Sequence, residues 1–413
     1  MKTVERTILE FVSARLRRGS LAVRWPDGTT DHFEGGRPGP DAEIDLHDLR
    51  TVRRLIRSGA IGLADGWIAR EFDSPDLASV IELVALNIEP HDRPPAPTIV
   101  DRAGKAVRRS VGRATTTRGP LSNTVAHYDV GNEFFSAWLD ETMTYSSALY
   151  TRGDMTLEEA QLEKYRRIAE VTGLRPGMRV LEIGSGWGGF AVYAAGEIGC
   201  EVTTITVSRE QAAWVERLVD ERGLRDLVTV RLEDFQATTG EFEAIVSIEM
   251  IESIPSWRWE EFLRVVRDRL EPGGRAGLQI ITVADRHWES SNANPDFVRR
   301  YVFPGSQVPS PRVLTSEART VGLGLMDAAG FGWSYARTLA AWRSRFDAAW
   351  PRIADLGFDD RFKRMWQYYL SYCEGGFRSG RVDVSQIVLE RSADRPTLSR
   401  RGEASAADSR EHA

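Results

Sequence analysis

Cysteine is almost missing from this chain of 413 residues: only Cys200 and Cys373 occur. Two thiols so far apart give neither a disulfide framework nor a zinc pattern, and a reducing cytosol fits best. Histidine is scarce too. His32, His47, His91, His127, His287 and His412 nowhere fall at metal-ligand spacing, so no metal is expected. No run of eighteen apolar residues exists, so no bilayer-spanning helix is expected. The start, "MKTVERTILEFVSARLRRGS", interrupts every apolar run with charge, which excludes a signal-peptide pattern. Val4, Ile8, Phe11, Val12 and Leu16 instead recur at helical spacing. A net charge of −6 argues against nucleic acid as a partner. The expected location is the cytoplasm, with any membrane substrate met peripherally, at the inner face of the membrane.

What is present is core. Apolar residues make up 42% and charged residues 28%, which suits a large folded domain plus a smaller one. Residues 1–90 read as a small α/β domain, with a hairpin around "PDGT" followed by glycine-broken helices. Residues 91–120 read as a linker, first proline-rich and then basic. Within 101–120, Arg102, Lys105, Arg108, Arg109, Arg113 and Arg118 stand against a single acid, Asp101. Such a run is either a solvated linker or a patch for anionic headgroups, where each basic residue contributes about 1 kcal/mol. Residues 121–392 hold the main domain, and the polar tail 393–413 is expected to be disordered.

Within the main domain, strands and helices alternate. "RVLEIGSG", "EVTTITVS", "VTVRLED", "FEAIVSIEM" and "RAGLQIITV" read as strands separated by amphipathic helices. That alternation predicts a doubly wound, mostly parallel sheet. "VLEIGSGWGGF" puts Gly184, Gly186, Gly188 and Gly189 between a buried strand and a helix, where the backbone can approach a ligand closely. The spacing is G-x-G-x-G, unlike the dinucleotide fingerprint G-x-G-x-x-G. The second strand ends in the neutral groups Thr206, Ser208 and Gln211, with no acid for a nicotinamide ribose. The third ends in Glu233-Asp234, where many S-adenosylmethionine (SAM) enzymes hold the adenine amino group. SAM is the expected ligand and a Rossmann-like class I SAM methyltransferase the expected fold.

"AHYDVGNEFFSAWLDETMTYSSALY", "VLEIGSGWGGFAVYAA", "RYVFPGSQVPS", "SYARTLAAW" and "RFKRMWQYYLSYCEGGFRSG" resemble the cyclopropane-fatty-acyl-phospholipid synthases, in family order, from about 120 to about 390. The resemblance implies methyl transfer from SAM to a cis double bond of a phospholipid acyl chain, a carbocation, and proton loss. It implies that Tyr128, Tyr145 and Ser146 line the SAM cleft and that Gly184, Gly186 and Gly188 pass under its methionine part. Thr206 and Gln211 would meet the ribose region, Glu233 or Asp234 the adenine, and Ile248 completes the cofactor set. Family members are often dimers, so a homodimer is an implied assembly.

An alkene has no proton to remove first, so the reaction needs no Ser-His-Asp constellation, and none is visible. The site must exclude water and suits aromatic faces, and the chain carries 12 tryptophans, 10 tyrosines and 16 phenylalanines.

One departure stands out. Cyclopropane-forming relatives hold a bicarbonate ion with Cys, Glu, His, Tyr and a backbone amide. Glu252 and Tyr335 match, but Ser147 stands at the Cys position and Gln279 at the His position, with Ile281 at the amide. Serine and glutamine can still hydrogen-bond an oxyanion, which leaves bicarbonate open but doubtful. Glu249, three residues before Glu252, is a second candidate base. The altered set resembles the methylene-forming (10-methylene, tuberculostearate-pathway) branch, whose product needs a separate reductase to become a methyl branch. The alternatives are a cyclopropane synthase, a non-catalytic SAM- and lipid-binding protein, and a methyltransferase for small soluble acceptors.

Overall fold

The computed structural model describes residues 4–88, 131–293 and 296–392. Tyr128, His127, the basic segment 101–120 and the tail from 393 lie outside these residues.

The amino-terminal part opens with α1 (Val4–Ser13) and holds a four-stranded sheet, ordered β2-β1-β3-β4. β1 (Arg18–Arg24) and β2 (Thr30–Glu34) form the hairpin that the alternation around "PDGT" predicts. β3 (Arg37–Leu46) runs parallel to β1, and β4 (Phe72–Asp73) closes the far edge. Between β3 and β4 come α2 (Arg50–Ser58) and α3 (Ala60–Ile68), and α4 (Leu77–Asn87) follows.

The second sheet has seven strands, ordered β10-β11-β9-β8-β5-β6-β7. β5 (Arg179–Ile183), β6 (Glu201–Thr206), β7 (Val228–Leu232), β8 (Phe242–Ile248) and β9 (Leu270–Val283) run parallel. β11 (Val382–Arg391) is antiparallel to β9, and β10 (Leu323–Gly330) is antiparallel to β11. The strand order reverses between β5 and β8. That is the switch point where doubly wound sheets open a crevice at the carboxyl ends of their strands. β10 and β11 were not read from the sequence. Five of the eight β10 residues are exposed in a row, so it offers no alternation, and Asp383, Ser385 and Gln386 interrupt the apolar run of β11.

The helix α5 (Leu157–Thr172) packs against β9 and β11. Thr156 accepts from the Glu159 N–H while Glu159 reaches back to the Thr156 N–H, and Gly173 ends the helix in a left-handed turn at φ 82°. Further on, α6 (Gly189–Tyr193) follows the glycine loop and α7 (Arg209–Glu221) follows β6. After β10 come two long helices, α8 (Gly332–Asp355) and α9 (Asp360–Arg378).

α9 links the two sheets. A Cβ on Gly375 would sit 2.8 Å from the Ala78 carbonyl oxygen of α4, so glycine permits this close helix crossing. The Arg364 guanidinium lies 4.0 Å from the Trp67 ring centroid and donates to the carbonyls of Trp67 and Phe72. The same helix places the buried Tyr369 hydroxyl 2.9 Å from that of Tyr145.

Candidate active site

The cleft opens over the carboxyl ends of β5, β6, β7 and β8. β5 runs into Gly184, Gly186 and Gly188 at φ values of 95°, 49° and 87°, a region that side-chain-bearing residues avoid. A Cβ built on Gly186 would meet nothing within 4 Å, so this backbone borders open space. On Gly184 it would lie 3.1 Å from Met250 Cγ.

β6 ends at Thr206, whose hydroxyl donates to Gln211 Oε1 at 2.7 Å, and Ser208 caps α7 by accepting from the Gln211 N–H. Glu233 and Asp234 both line the cleft. Asp234 caps the following turn through the Gln236 N–H at 3.0 Å and lies 3.6 Å from Arg258. Glu233 takes only a 3.2 Å bond from the Thr238 hydroxyl and a distant Arg231, which leaves it the better placed for an amino group. Tyr145, Ser146 and Ile248 complete the wall named by the sequence.

The sequence did not single out Glu182. It is buried at the end of β5, lines the cleft and accepts from the Thr204 hydroxyl at 2.6 Å. Burial pushes its carboxyl up to about 8. A cation entering the cleft would draw that proton off. The signal was an acid inside an otherwise apolar strand that runs straight into the glycines.

A glycine loop whose Gly186 borders open space, hydroxyl and amide groups beyond it and an acid at the third strand fit SAM. The residues that would hold it are Gly184 to Trp187, Thr206, Gln211 and Glu233, while Gly188 turns toward Val215 and does not line the cleft.

Deeper in lies a second cluster. Ser147, Glu249, Glu252, Gln279 and Tyr335 are brought together there from a loop, the end of β8, β9 and α8. Glu249 has φ 51°, a left-handed backbone that costs a non-glycine residue about 1–3 kcal/mol. Its Oε1 accepts from the Ser147 N–H at 2.8 Å and from Gln279 Nε2 at 2.8 Å. Its Oε2 accepts from the Tyr335 hydroxyl at 2.7 Å. All three partners donate, which suits a carboxylate. Burial raises its pKa, and the Lys164 charge, Gln279, the Ser147 N–H and Tyr335 pull it back. The Tyr335 hydroxyl is held well above its ordinary value by burial and by Glu249.

Glu252 differs. Its Oε1 accepts from the Ile281 N–H at 2.5 Å, while its buried Oε2 has no partner among the described residues. Burial, and then the neighbouring Glu249 charge, push it up to about 8, so it carries a proton at neutral pH. The sequence put proton handling first on Glu252. The geometry gives Glu249 three donors and Glu252 one.

Two further expectations change. The Ser147 hydroxyl donates to the Ala148 carbonyl at 2.9 Å, so the serine meets the anion through its backbone N–H and not through its side chain. The groups expected around bicarbonate are engaged by carboxylates of the chain itself: Ser147, Gln279 and Tyr335 by Glu249, and the Ile281 N–H by Glu252.

Ser146 accepts from Lys164 Nζ at 2.7 Å through its hydroxyl and from Gln161 Nε2 at 3.0 Å through its carbonyl. Lys164 is fully buried, and burial pushes its ammonium down to about 7. It was missed, although "QLEKYRRIAE" places it four residues from both Ala160 and Ile168 on the apolar face. Tyr145 bonds to the Tyr369 hydroxyl at 2.9 Å, with its ring 5.7 Å from Trp138 and 5.3 Å from Trp342. Tyr145 lines the cleft and the two buried tryptophans back it, so an electron-rich ring borders the site and the packing behind it is dry.

Sheet order, glycine cradle and cleft define a class, the SAM-dependent methyltransferases. Within it, the chain belongs to the mycolic acid cyclopropane synthetase family, whose sequence profile matches residues 115–387. It is 34% identical over 392 residues to the tuberculostearic acid methyltransferase UfaA1 of Mycobacterium tuberculosis, covering 90% of this chain and 88% of that one. To the cyclopropane-fatty-acyl-phospholipid synthase of Escherichia coli K12 it is 34% identical over 361 residues, covering 86% and 89%. Among solved structures, the mycolic acid cyclopropane synthase CmaA1 complexed with SAH and CTAB superposes with a TM-score of 0.61 at 29% identity. That match covers 65% of this chain and 98% of the other.

Proposed function

We propose that this enzyme methylates the cis double bond of an unsaturated, oleoyl-type phospholipid acyl chain and releases a methylene-branched chain, with Glu249 as the proton acceptor. The observation that carries this reading is the Glu249 carboxylate, held by the Ser147 N–H, the Gln279 amide and the Tyr335 hydroxyl. A base supplied by the chain replaces one that would have to be bound from solution. The likeness to a tuberculostearic acid methyltransferase over 90% of the chain points the same way.

SAM supplies a methyl cation to one alkene carbon. The positive charge left on the neighbouring carbon is secondary. A 1,2-hydride shift moves it onto the methylated carbon, where it is tertiary. Loss of a proton from the new methyl group then leaves an exomethylene, and the proton goes to a Glu249 oxygen. Tyr335 and Gln279 orient that carboxylate, and Glu252, holding its own proton, adds no second negative charge. Tyr145, backed by the buried Trp138 and Trp342, helps keep water from quenching the cation.

No helix among the described residues is long and apolar enough to cross a membrane, so the lipid is met from the surface in this reading. The basic segment Arg102 to Arg118 and the small amino-terminal domain are the candidate contacts. A separate reductase would complete the methyl branch.

The test is incubation with SAM and dioleoyl phospholipid vesicles, followed by mass spectrometry and proton NMR of the lipids. The expected product gains one CH₂ unit and shows vinylidene protons. High-field cyclopropane protons as the main signal would reject this reading in favour of the chemistry named for the Escherichia coli relative. SAM consumption independent of lipid would reject both.

A further inference from the structure

Behind Glu249 a line of polar side chains runs from the buried Gln279 and Gln386 to the partly exposed Arg167. Gln279 of β9 and Gln386 of β11 are register partners and sit side by side, both essentially inaccessible. Gln386 Nε2 donates to Gln279 Oε1 at 3.1 Å and to the Lys164 carbonyl at 3.1 Å. Gln386 Oε1 accepts from Arg167 Nη1 at 2.7 Å. At the other end, Gln279 Nε2 donates to Glu249 Oε1 at 2.8 Å and to the Ser147 carbonyl at 3.2 Å.

We propose that Arg167 and Gln386 are positioning residues that lock the Gln279 amide with its N–H toward Glu249. A side-chain amide can be turned end for end with almost no change of shape. A guanidinium can only donate. The carbonyl of Gln386 must therefore face Arg167, its NH₂ must face Gln279, and the NH₂ of Gln279 must face Glu249. Reversing either amide would set oxygen against oxygen.

The arrangement is specific to α5. Gln161, Lys164 and Arg167 stand three residues apart and face one side of the helix. The first two hold Ser146, and the third fixes the relay. Apolar side chains of the same volume would fill this space without the desolvation cost of two buried amides, so the polarity serves orientation.

This inference rests on the reading of Glu249 as proton acceptor. The ionisable groups facing that carboxylate are Lys164 and Tyr165 from α5, Glu252 from the turn after β8 and Tyr335 from α8. None is altered by the variants below.

The experiment uses the full-length enzyme with SAM and dioleoyl phospholipid vesicles. It follows turnover as a function of pH, and SAM affinity by calorimetry. Gln386→Leu and Arg167→Met should each move the acidic limb of turnover up by about one pH unit, roughly tenfold at a fixed acidic pH, because Glu249 loses an oriented donor. SAM affinity should stay within about twofold of wild type, as the relay lies behind the cleft. Arg167→Lys keeps a donor toward Gln386 and should restore most of the wild-type limb. Arg167 is partly exposed, so Arg167→Met carries the test should Gln386→Leu fail to fold. Loss of activity with the acidic limb unmoved, or a parallel loss of SAM affinity, would reduce the line to core packing and overturn the proposal. Glu249→Gln is the separate control: if it keeps both activity and acidic limb, the reading of Glu249 as base fails instead.

Discussion

The two ends of the cleft are built from different materials. The outer end, over β5, β6 and β7, is largely backbone and short polar side chains, and it borders open space. The inner end, around Glu249 and Glu252, gathers buried side chains and two backbone N–H groups, and nearly every polar atom among the described residues there has a partner. A cofactor must enter and leave in every turnover, so its cradle stays open and takes its shape from glycine. A proton needs no such door. What its site needs is a fixed donor set and no water.

Exchanging one material for the other should break each end separately. The largest effect is expected from Glu249→Gln, which keeps the shape and removes the base. Turnover should fall about 10²–10⁴-fold, while calorimetry finds SAM affinity near wild type. Gly186→Val should do the reverse. A branched side chain would enter the open space at φ 49°, and SAM should bind at least about tenfold more weakly. Unchanged affinity in that variant would remove the glycine cradle from the cofactor site.

A smaller effect separates the two carboxyls. Glu252 already holds its proton, so Glu252→Gln preserves a carbonyl for the Ile281 N–H and a donor on the other atom. Turnover should fall less than about tenfold, well short of the Glu249 variant. A loss as deep as that of Glu249→Gln would restore Glu252 as the base.

The smallest effect is on stability. Glu182 is held up to about 8 in the fold, against an ordinary value of 4.5. The folded chain thus keeps a proton that the unfolded chain has released between these values, and stability falls as pH rises through this window. Glu182→Gln should match wild type in melting temperature near pH 4.5 and exceed it increasingly toward pH 8. An equal gain at every pH would show that burial of the charge is not the cause.

The same contrast explains what could be read from the sequence. The outer end was legible because its devices are local: glycines after an apolar strand, then neutral and acidic groups at the ends of the next two. The inner end is assembled from residues more than a hundred positions apart, as when Ser147 meets Glu249 and Gln279. The resemblance named those positions but could not say which atom of Ser147 does the bonding, or which glutamate is ionised. Nor could spacing place Gln386, because β11 follows two long helices and pairs back to β9. Lys164 was legible in principle, as a cation on the apolar face of a helix.

In the proposed reading, anchoring the base to the chain also alters what limits the enzyme in a cell. A dissolved acceptor can drift away with its proton and be replaced, so the rate follows the supply of dissolved inorganic carbon. Glu249 cannot leave. Every catalytic cycle must then end with that proton handed back to bulk solvent through the cleft that Glu249 lines, before the next acyl chain arrives. Such an enzyme works as well in carbon-dioxide-stripped buffer as in air, and its slow step shifts toward recharging the base, where exchanging H₂O for D₂O is felt.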